Sequence, residues 1–332
     1  MDNKYDVIII GAGPAGLKCA EQLKGSKLSV LLIEKNKIIG PKVCGGGLTN
    51  LSAEFDLPVE KTRSFTKQLF YLNGQKCEVE LAAPLRTINR YDLGQYLLTK
   101  IKDADNITIL KEVTVESITE DSVVTDKGNF YYKQLVGADG ANSLVRKFLG
   151  LPTDVSVGIR CKVDRLTQEI EWHFYPSSLK FGYIWILPHK DYSNVGIYFH
   201  PQDISATEAM KLLKNFLAKN NFSYSDMQAA TLNSLYKGCI FKNIFLAGEA
   251  AGVTSMPTGE GMPLAMFSGR EVGKKILDPD YKMRELDRNL KFKRRQEKFT
   301  QFADCFPFAR VFFIKVFLSL YKSKWFQNHF IG

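Results

Sequence analysis

The residues best placed to do chemistry begin at Gly11. Gly11-Ala12-Gly13-Pro14-Ala15-Gly16 follows the short apolar run Tyr5–Ile10, and LKCAEQL continues from it at helical spacing. A second apolar run, Leu28–Ile33, ends at Glu34. This is a strand, turn, helix and strand with GxGxxG at the turn, and the chemistry it points to is dinucleotide binding. Gly11 permits the tight turn, Gly13 lets backbone approach a pyrophosphate, and Gly16 lets helix and strand pack closely. The helix N-terminus offers free N–H groups and a positive dipole end to the phosphates. Glu34 stands where a carboxylate accepts both ribose hydroxyls. The motif alone does not separate FAD from NAD.

Two more stations lie far along the chain. Leu135–Val145 reads LVGADGANSLV with Arg146 next, an apolar strand meeting Gly137-Ala138-Asp139-Gly140 before a helix with Ser143 in its first turn. Phe245–Gly252 reads FLAGEAAG, and Pro257-Thr258-Gly259-Glu260-Gly261 precedes a predicted helix from about Met262 to Ile276. Small residues after buried strands let backbone approach a ligand closely, and the second helix would aim its N-terminus there.

The elements that position these stations must come from a chain of 332 residues, long enough for two domains or one large α/β unit. The net charge of +10 is uneven: residues 281–332 hold 12 Lys/Arg against 4 Asp/Glu, so the rest is nearly neutral. A basic tail suits an anionic membrane surface, an acidic partner or a plain solvated helix face. Nucleic acid is not expected, since no motif for it accompanies the charge. The six cysteines, Cys19, Cys44, Cys77, Cys161, Cys239 and Cys305, are dispersed, with no CxxC pair and no metal-ligand spacing, so no metal is expected. With no signal peptide before the first strand, the expected location is the cytoplasm, with the inner face of the membrane as a peripheral site.

The three stations together resemble the flavoprotein hydroxylase superfamily that folds like para-hydroxybenzoate hydroxylase. Gly137, Asp139, Gly140, Ser143, Val145 and Arg146 match its GADGxxSxVR segment near the pyrophosphate. Gly248-Glu249-Ala250-Ala251 matches its GDAA station, with Glu249 one methylene longer than the usual Asp. Arg90 and RYDLGQYLL match a segment beside the cofactor. Within that superfamily the chain resembles the geranylgeranyl reductase family. Lys42-Val43-Cys44-Gly45-Gly46-Gly47-Leu48 matches its K-x-C-G-x-G-x element, Gly182–Pro188 resembles its GYxWxFP strand with Leu187 for Phe, and Asn194-Val195-Gly196 its NVG. Pro257–Gly261 matches its P-x-TGEG loop.

The resemblance implies FAD as cofactor, held by Gly11, Gly13, Pro14, Ala15, Gly16, Glu34, Lys35, Cys44, Gly45, Gly46, Arg90, Val113, Asp139, Gly140, Gly248, Glu249, Gly259, Gly261 and Met262. It implies reduction of C=C bonds in a polyprenyl lipid or related isoprenoid, a hydrophobic substrate. The family places Cys44 against the isoalloxazine, which makes it the candidate proton donor, with His173 and His189 as lesser acids. Ile170, Trp172 and Phe174 fall on one strand face, Tyr183 and Trp185 on one face of the next. Tyr183 and Trp185, inside the family motif, are expected to face the ligand and join Cys44 in the catalytic set. Trp172 and Phe174 are expected to be ordinary sheet core.

The fold expected is α/β: a Rossmann-type FAD-binding domain, an inserted antiparallel β-sheet substrate domain and a helical C-terminal tail. The FAD domain takes 1–60, 87–152 and 238–278, the substrate domain 61–86 and 153–237, and a basic, aromatic-rich helical region 279–332. Pro307 divides the tail. Before it, 283–305 is predicted helical. After it, Phe308–Phe326 presents Phe313, Val316, Phe317, Leu320 and Tyr321, either as a core helix closing the substrate domain or as a helix lying on a membrane. The electron donor stays open among NADPH, ferredoxin and another small carrier. Two other functions remain: a flavin monooxygenase or halogenase, with YIWILP a degenerate WxWxIP, and a polyprenyl-lipid binding protein that keeps FAD structurally.

Overall fold

The computed structural model describes residues 3–330. Its first sheet runs Ile240–Phe241, Ile244–Leu246, Gly128–Gly137, Lys4–Ile10, Val30–Glu34, Ile107–Lys111. The last five of these strands are mutually parallel. Val7, Ile8 and Ile9 are fully buried because helices cover this sheet, which is why the strand reads as a continuous apolar run. The smaller strands Val115–Ile118 and Ser122–Thr125 join it antiparallel through Gly128–Gly137. The helix Pro14–Leu23 packs on the helix Met262–Leu277, and a Cβ at Gly269 would lie 2.0 Å from the Ala15 carbonyl oxygen. Only glycine allows the two helices that approach.

The second sheet runs Tyr224–Asn233, Val155–Val163, Ser193–Phe199, Tyr183–Pro188, Ile170–Phe174, Thr62–Leu72, Gln75–Ile88, Gly47–Leu48. It is antiparallel except where Ile170–Phe174 lies parallel to Thr62–Leu72, with Trp172 beside Phe70. A hairpin from early in the chain is thus joined to a meander from the middle. One face packs on the helix Ala206–Lys219 through Val195, Ile197, Leu213 and Leu217. The other carries Tyr183, Trp185, Leu187, Tyr198, Phe65 and Leu85, and turns toward the first sheet's ligand-binding end.

The tail is the helix Arg284–Asp304, a short turn at Pro307–Ala309, and the helices Arg310–Tyr321 and Lys324–Phe330. Ile314, Leu318 and Tyr321 are buried against Phe70, Leu72 and Val79, so this helix does close the second sheet. Leu320, expected on the apolar surface, is 48% exposed, and the predicted single helix Phe308–Phe326 breaks after Tyr321. No helix among the described residues is long and apolar enough to cross a membrane.

Candidate active site

The glycine turn has the geometry its sequence requires. Gly11 adopts φ +99°, and a Cβ there would lie 2.4 Å from the Ala138 oxygen; at Gly16 it would lie 1.9 Å from the Gly11 oxygen. At Gly13 a Cβ would meet nothing within 4 Å. Gly11 and Gly16 are therefore small for the protein's own packing, while the space before Gly13 is open. Gly13 is also the N-cap of the helix Pro14–Leu23, with no side chain capping it, so its first N–H groups are left for an anion.

Glu34 is buried at the end of its strand. Its Oε2 accepts from the Ala12 N–H at 2.9 Å, and its Oε1 accepts from the Asn36 backbone N–H at 2.9 Å and side-chain amide at 2.7 Å. The carboxylate thus braces the glycine turn and retains acceptor capacity. Other ligand-seeking groups surround the same space. Asp139 Oδ1 and Arg90 Nε are buried without partners. Burial raises the Asp139 carboxyl above its ordinary range, although Oδ2 accepts from the Leu144 N–H at 2.7 Å. Lys42 Nζ and Glu249 Oε2 pair at 2.6 Å across the site, next to Gly140. Open backbone, an uncapped helix and orphaned polar atoms fit a dinucleotide cofactor.

A cavity of about 610 Å³ runs from this cradle toward the tail. Gly13, Pro14, Ala15, Cys44, Gly45, Gly46 and Arg90 line it, as do Gly140, Gly248, Glu249, Gly259, Gly261 and Met262. Gly11, Gly16, Glu34, Lys35, Val113 and Asp139 stand off its wall; Val113 is buried core whose N–H donates to the Glu34 carbonyl at 3.1 Å. Further along, the wall is Tyr183, Trp185, Leu187, Trp172, Phe174 and Phe70, then Phe299, Phe317 and Leu320 of the tail. Trp172 and Phe174, expected to be plain core, line the cavity. Trp172 Nε1 donates to Gln68 Oε1 at 2.7 Å, and Gln68 Nε2 donates to the Tyr321 hydroxyl at 2.6 Å, tying sheet to tail.

The Cys44 loop is held from behind. Asn194 Nδ2 donates to the Cys44 carbonyl at 3.0 Å, and Trp185 Nε1 to Asn194 Oδ1 at 2.9 Å. His189 Nε2 donates to the Gly45 carbonyl at 2.9 Å, and burial lowers its pKa to about 4, so it stays neutral. Cys44 Sγ lies 3.9 Å from Met262 Sδ. Tyr183 and Tyr198 donate to the Thr258 and Met256 carbonyls, each at 2.5 Å, and burial raises both phenols. Their rings face the cavity while their hydroxyls clamp the 256–261 loop. His173 pairs with Glu171 at 2.9 Å and packs edge-on against Phe216, on the sheet's other side.

Arg146, which sequence places near the pyrophosphate, is 1% exposed. Its guanidinium donates to the Pro152, Ala250 and Leu235 carbonyls and so clamps three segments together. In the sequence, Glu260 is marked only as part of a loop motif. It lines the cavity, its carboxyl accepts from the Thr49 hydroxyl, and burial pushes its pKa up to about 7. Asn194 and Gln68 are positioning groups that no sequence pattern marks as such.

A doubly wound FAD cradle opening into an aromatic-walled cavity defines an FAD-dependent oxidoreductase. Residues 5–169 match the family described as pyridine nucleotide-disulphide oxidoreductase. An uncharacterized protein of Methanosarcina barkeri is 31% identical over 319 residues, covering 89% of this chain and 80% of that protein. Digeranylgeranylglycerophospholipid reductase of Methanococcus vannielii is 26% identical over 303 residues, 82% of this chain and 77% of that one. The crystal structure of a geranylgeranyl bacteriochlorophyll reductase-like protein from Thermoplasma acidophilum superposes with a TM-score of 0.76 at 18% identity, covering 93% of this chain and 88% of that chain. The chain belongs to the geranylgeranyl reductase family of FAD-dependent oxidoreductases.

Proposed function

We propose that this oxidoreductase reduces C=C bonds of a polyprenyl chain, with the alkene lying in the aromatic cavity beside Cys44. The observation that carries this reading is the cavity itself: one continuous apolar channel from the cofactor cradle to the tail helices. The name of the Methanococcus vannielii relative supports the same substrate class. FAD, when bound and reduced, supplies the hydride. Gly13 and the helix behind it hold the pyrophosphate; Glu34, Asp139, Arg90 and Glu249 bind its polar parts. Cys44 holds the proton at Sγ, and Trp185, Asn194 and His189 fix the loop that presents it. Tyr183, Trp172 and Phe174 orient the chain and exclude water.

In this reading 1–60, 87–152 and 238–278 bind FAD, 61–86 and 153–237 enclose substrate, and 279–332 close the cavity. Phe308 and Phe312, 105% and 61% exposed, would meet an anionic bilayer beside the basic helix Arg284–Asp304, at the inner membrane face. The test is anaerobic mixing of pre-reduced enzyme with a polyprenyl lipid, followed by mass spectrometry. A product two hydrogens heavier supports the reading; a product formed only with oxygen replaces it with a monooxygenase.

A further inference from the structure

We propose that Glu260 is the proton store of the cavity, the acid that replenishes the proton delivered at Cys44. This rests on the alkene-reductase reading and adds to it a second acid. Saturating an alkene requires a hydride on one carbon and a proton on its neighbour. The hydride comes with the reduced flavin. The Cys44 Sγ–H bond breaks as the new C–H bond forms, and the thiolate left behind takes the proton from the Glu260 carboxyl. The carboxylate is then reprotonated from solvent, so that the proton count closes.

The geometry places Glu260 for this. It lies on the cavity wall with Cys44, two residues before Met262, whose sulfur touches Cys44 Sγ. Glu260 is half-buried, and burial of its carboxyl raises the pKa to about 7. A bound flavin and an apolar substrate would remove still more water and push in the same direction. The Thr49 hydroxyl donates to this carboxyl, which supports the ionised form left after proton release. Tyr183 and Tyr198 hold the loop that carries the acid through the Thr258 and Met256 carbonyls.

Tyr183 on the strand Tyr183–Pro188 and Tyr321 on the helix Arg310–Tyr321 are the titratable groups facing Glu260, and Tyr183 interacts with Cys44 as well, so its ring lies near both. Both phenols are raised by burial and stay neutral beside it. The charged groups on the same cavity are Lys42, paired with Glu249; Arg160, paired with Asp226; Arg90; and Arg295. Glu297 and Lys293 pair behind the loop, near the Met256 N–H.

The test uses the FAD-loaded protein and the variants Glu260→Gln and Glu260→Asp. Infrared difference spectra across pH should show a protonated carboxyl in wild type that ionises near neutrality and is absent from Glu260→Gln. In anaerobic turnovers with a polyprenyl lipid, wild-type alkene reduction should fall as pH rises through about 7. Glu260→Gln should be slower by about 10- to 10⁴-fold, the scale for general acids, and should lose that pH dependence, with Glu260→Asp partly restoring both. A Glu260→Gln variant with wild-type rates and pH profile overturns the proposal, as does a carboxyl ionised throughout. If wild type reduces no polyprenyl alkene, the reductase reading fails separately, and the proton-relay proposal is overturned with it. The infrared spectra still report whether Glu260 is a neutral acid.

Discussion

The indole N–H of Trp185 donates to Oδ1 of Asn194 at 2.9 Å, and Asn194 passes the restraint on by donating to the Cys44 carbonyl. A strand of the second sheet therefore positions a loop that belongs to the cofactor cradle. Trp185→Phe keeps an aromatic ring on the cavity but strands a buried amide oxygen. The cost should be about 1–3 kcal/mol, the usual penalty for a buried acceptor left unmade. Urea unfolding should show a lower midpoint with an unchanged slope. A midpoint equal to wild type would mean that the loop does not depend on this bond.

Gly13 and Gly16 should separate ligand binding from folding. Alanine at Gly16 places a Cβ 1.9 Å from the Gly11 oxygen and should prevent a stable turn; alanine at Gly13 meets no protein atom within 4 Å. Gly13→Ala should fold within about 0.5 kcal/mol of wild type in the apo form. It should bind FAD at least tenfold more weakly, about 1.4 kcal/mol. Calorimetric titration of apoprotein with FAD measures this, and undiminished affinity would remove Gly13 from the pyrophosphate site.

Burial holds His189 at a pKa of about 4 in the folded chain against an ordinary 6.5. Between those values the unfolded chain binds a proton that the native state does not. His189 therefore contributes stability that is complete above about 6.5 and is lost as pH falls toward 4. Glu260 acts oppositely: its pKa rises from 4.5 to about 7, so its contribution is lost as pH rises through that range. Thermal unfolding of wild type and His189→Gln between pH 4 and 6.5 isolates the first effect. The variant should lose less stability on acidification, and equal slopes would show that His189 titrates normally.

The tail calls for surface substitutions instead of truncation. Removing 308–332 would uncover Phe70, Leu72 and Val79, which Ile314, Leu318 and Tyr321 cover. Phe308→Ser with Phe312→Ser leaves that packing in place, since both side chains are exposed. The double variant should sediment less with anionic liposomes, and salt should weaken what remains. Sedimentation identical to wild type would leave this helix with its packing role alone.

Much of this site was legible because glycine spacing records backbone sterics directly: the roles of Gly11, Gly13 and Gly16 follow from where a Cβ fits. Motif position did not give side-chain direction. Arg146 sits in a segment associated with phosphate, yet its guanidinium turns inward to three carbonyls. Alternation put Trp172 and Phe174 on one strand face but could not say that a cavity lay across from it. Lys42 and Glu249 are separated by 207 residues, and no local pattern pairs them. The acid of Glu260 looked like any loop carboxylate until burial distinguished it.

Cys44 is where the proposed chemistry is most exposed to test. An isolated trisubstituted alkene has no carbonyl to take up developing charge, so the proton must arrive from a positioned acid nearly in step with the hydride. The Cys44 loop suits that demand. Its own carbonyl is held by Asn194, the next carbonyl by His189, and Sγ rests 3.9 Å from Met262 Sδ on the cavity wall. Cys44→Ser keeps the side chain's shape but offers a far weaker acid. It should retain the FAD spectrum and flavin reduction while slowing alkene reduction about 10- to 10⁴-fold. Cys44→Ala should be at least as slow. The measurement is single-turnover reoxidation of pre-reduced enzyme by a polyprenyl lipid without oxygen, followed by flavin absorbance and product mass. If Cys44→Ala reoxidises at the wild-type rate with the same product, the thiol is packing against Met262 and the proton reaches the alkene by another route.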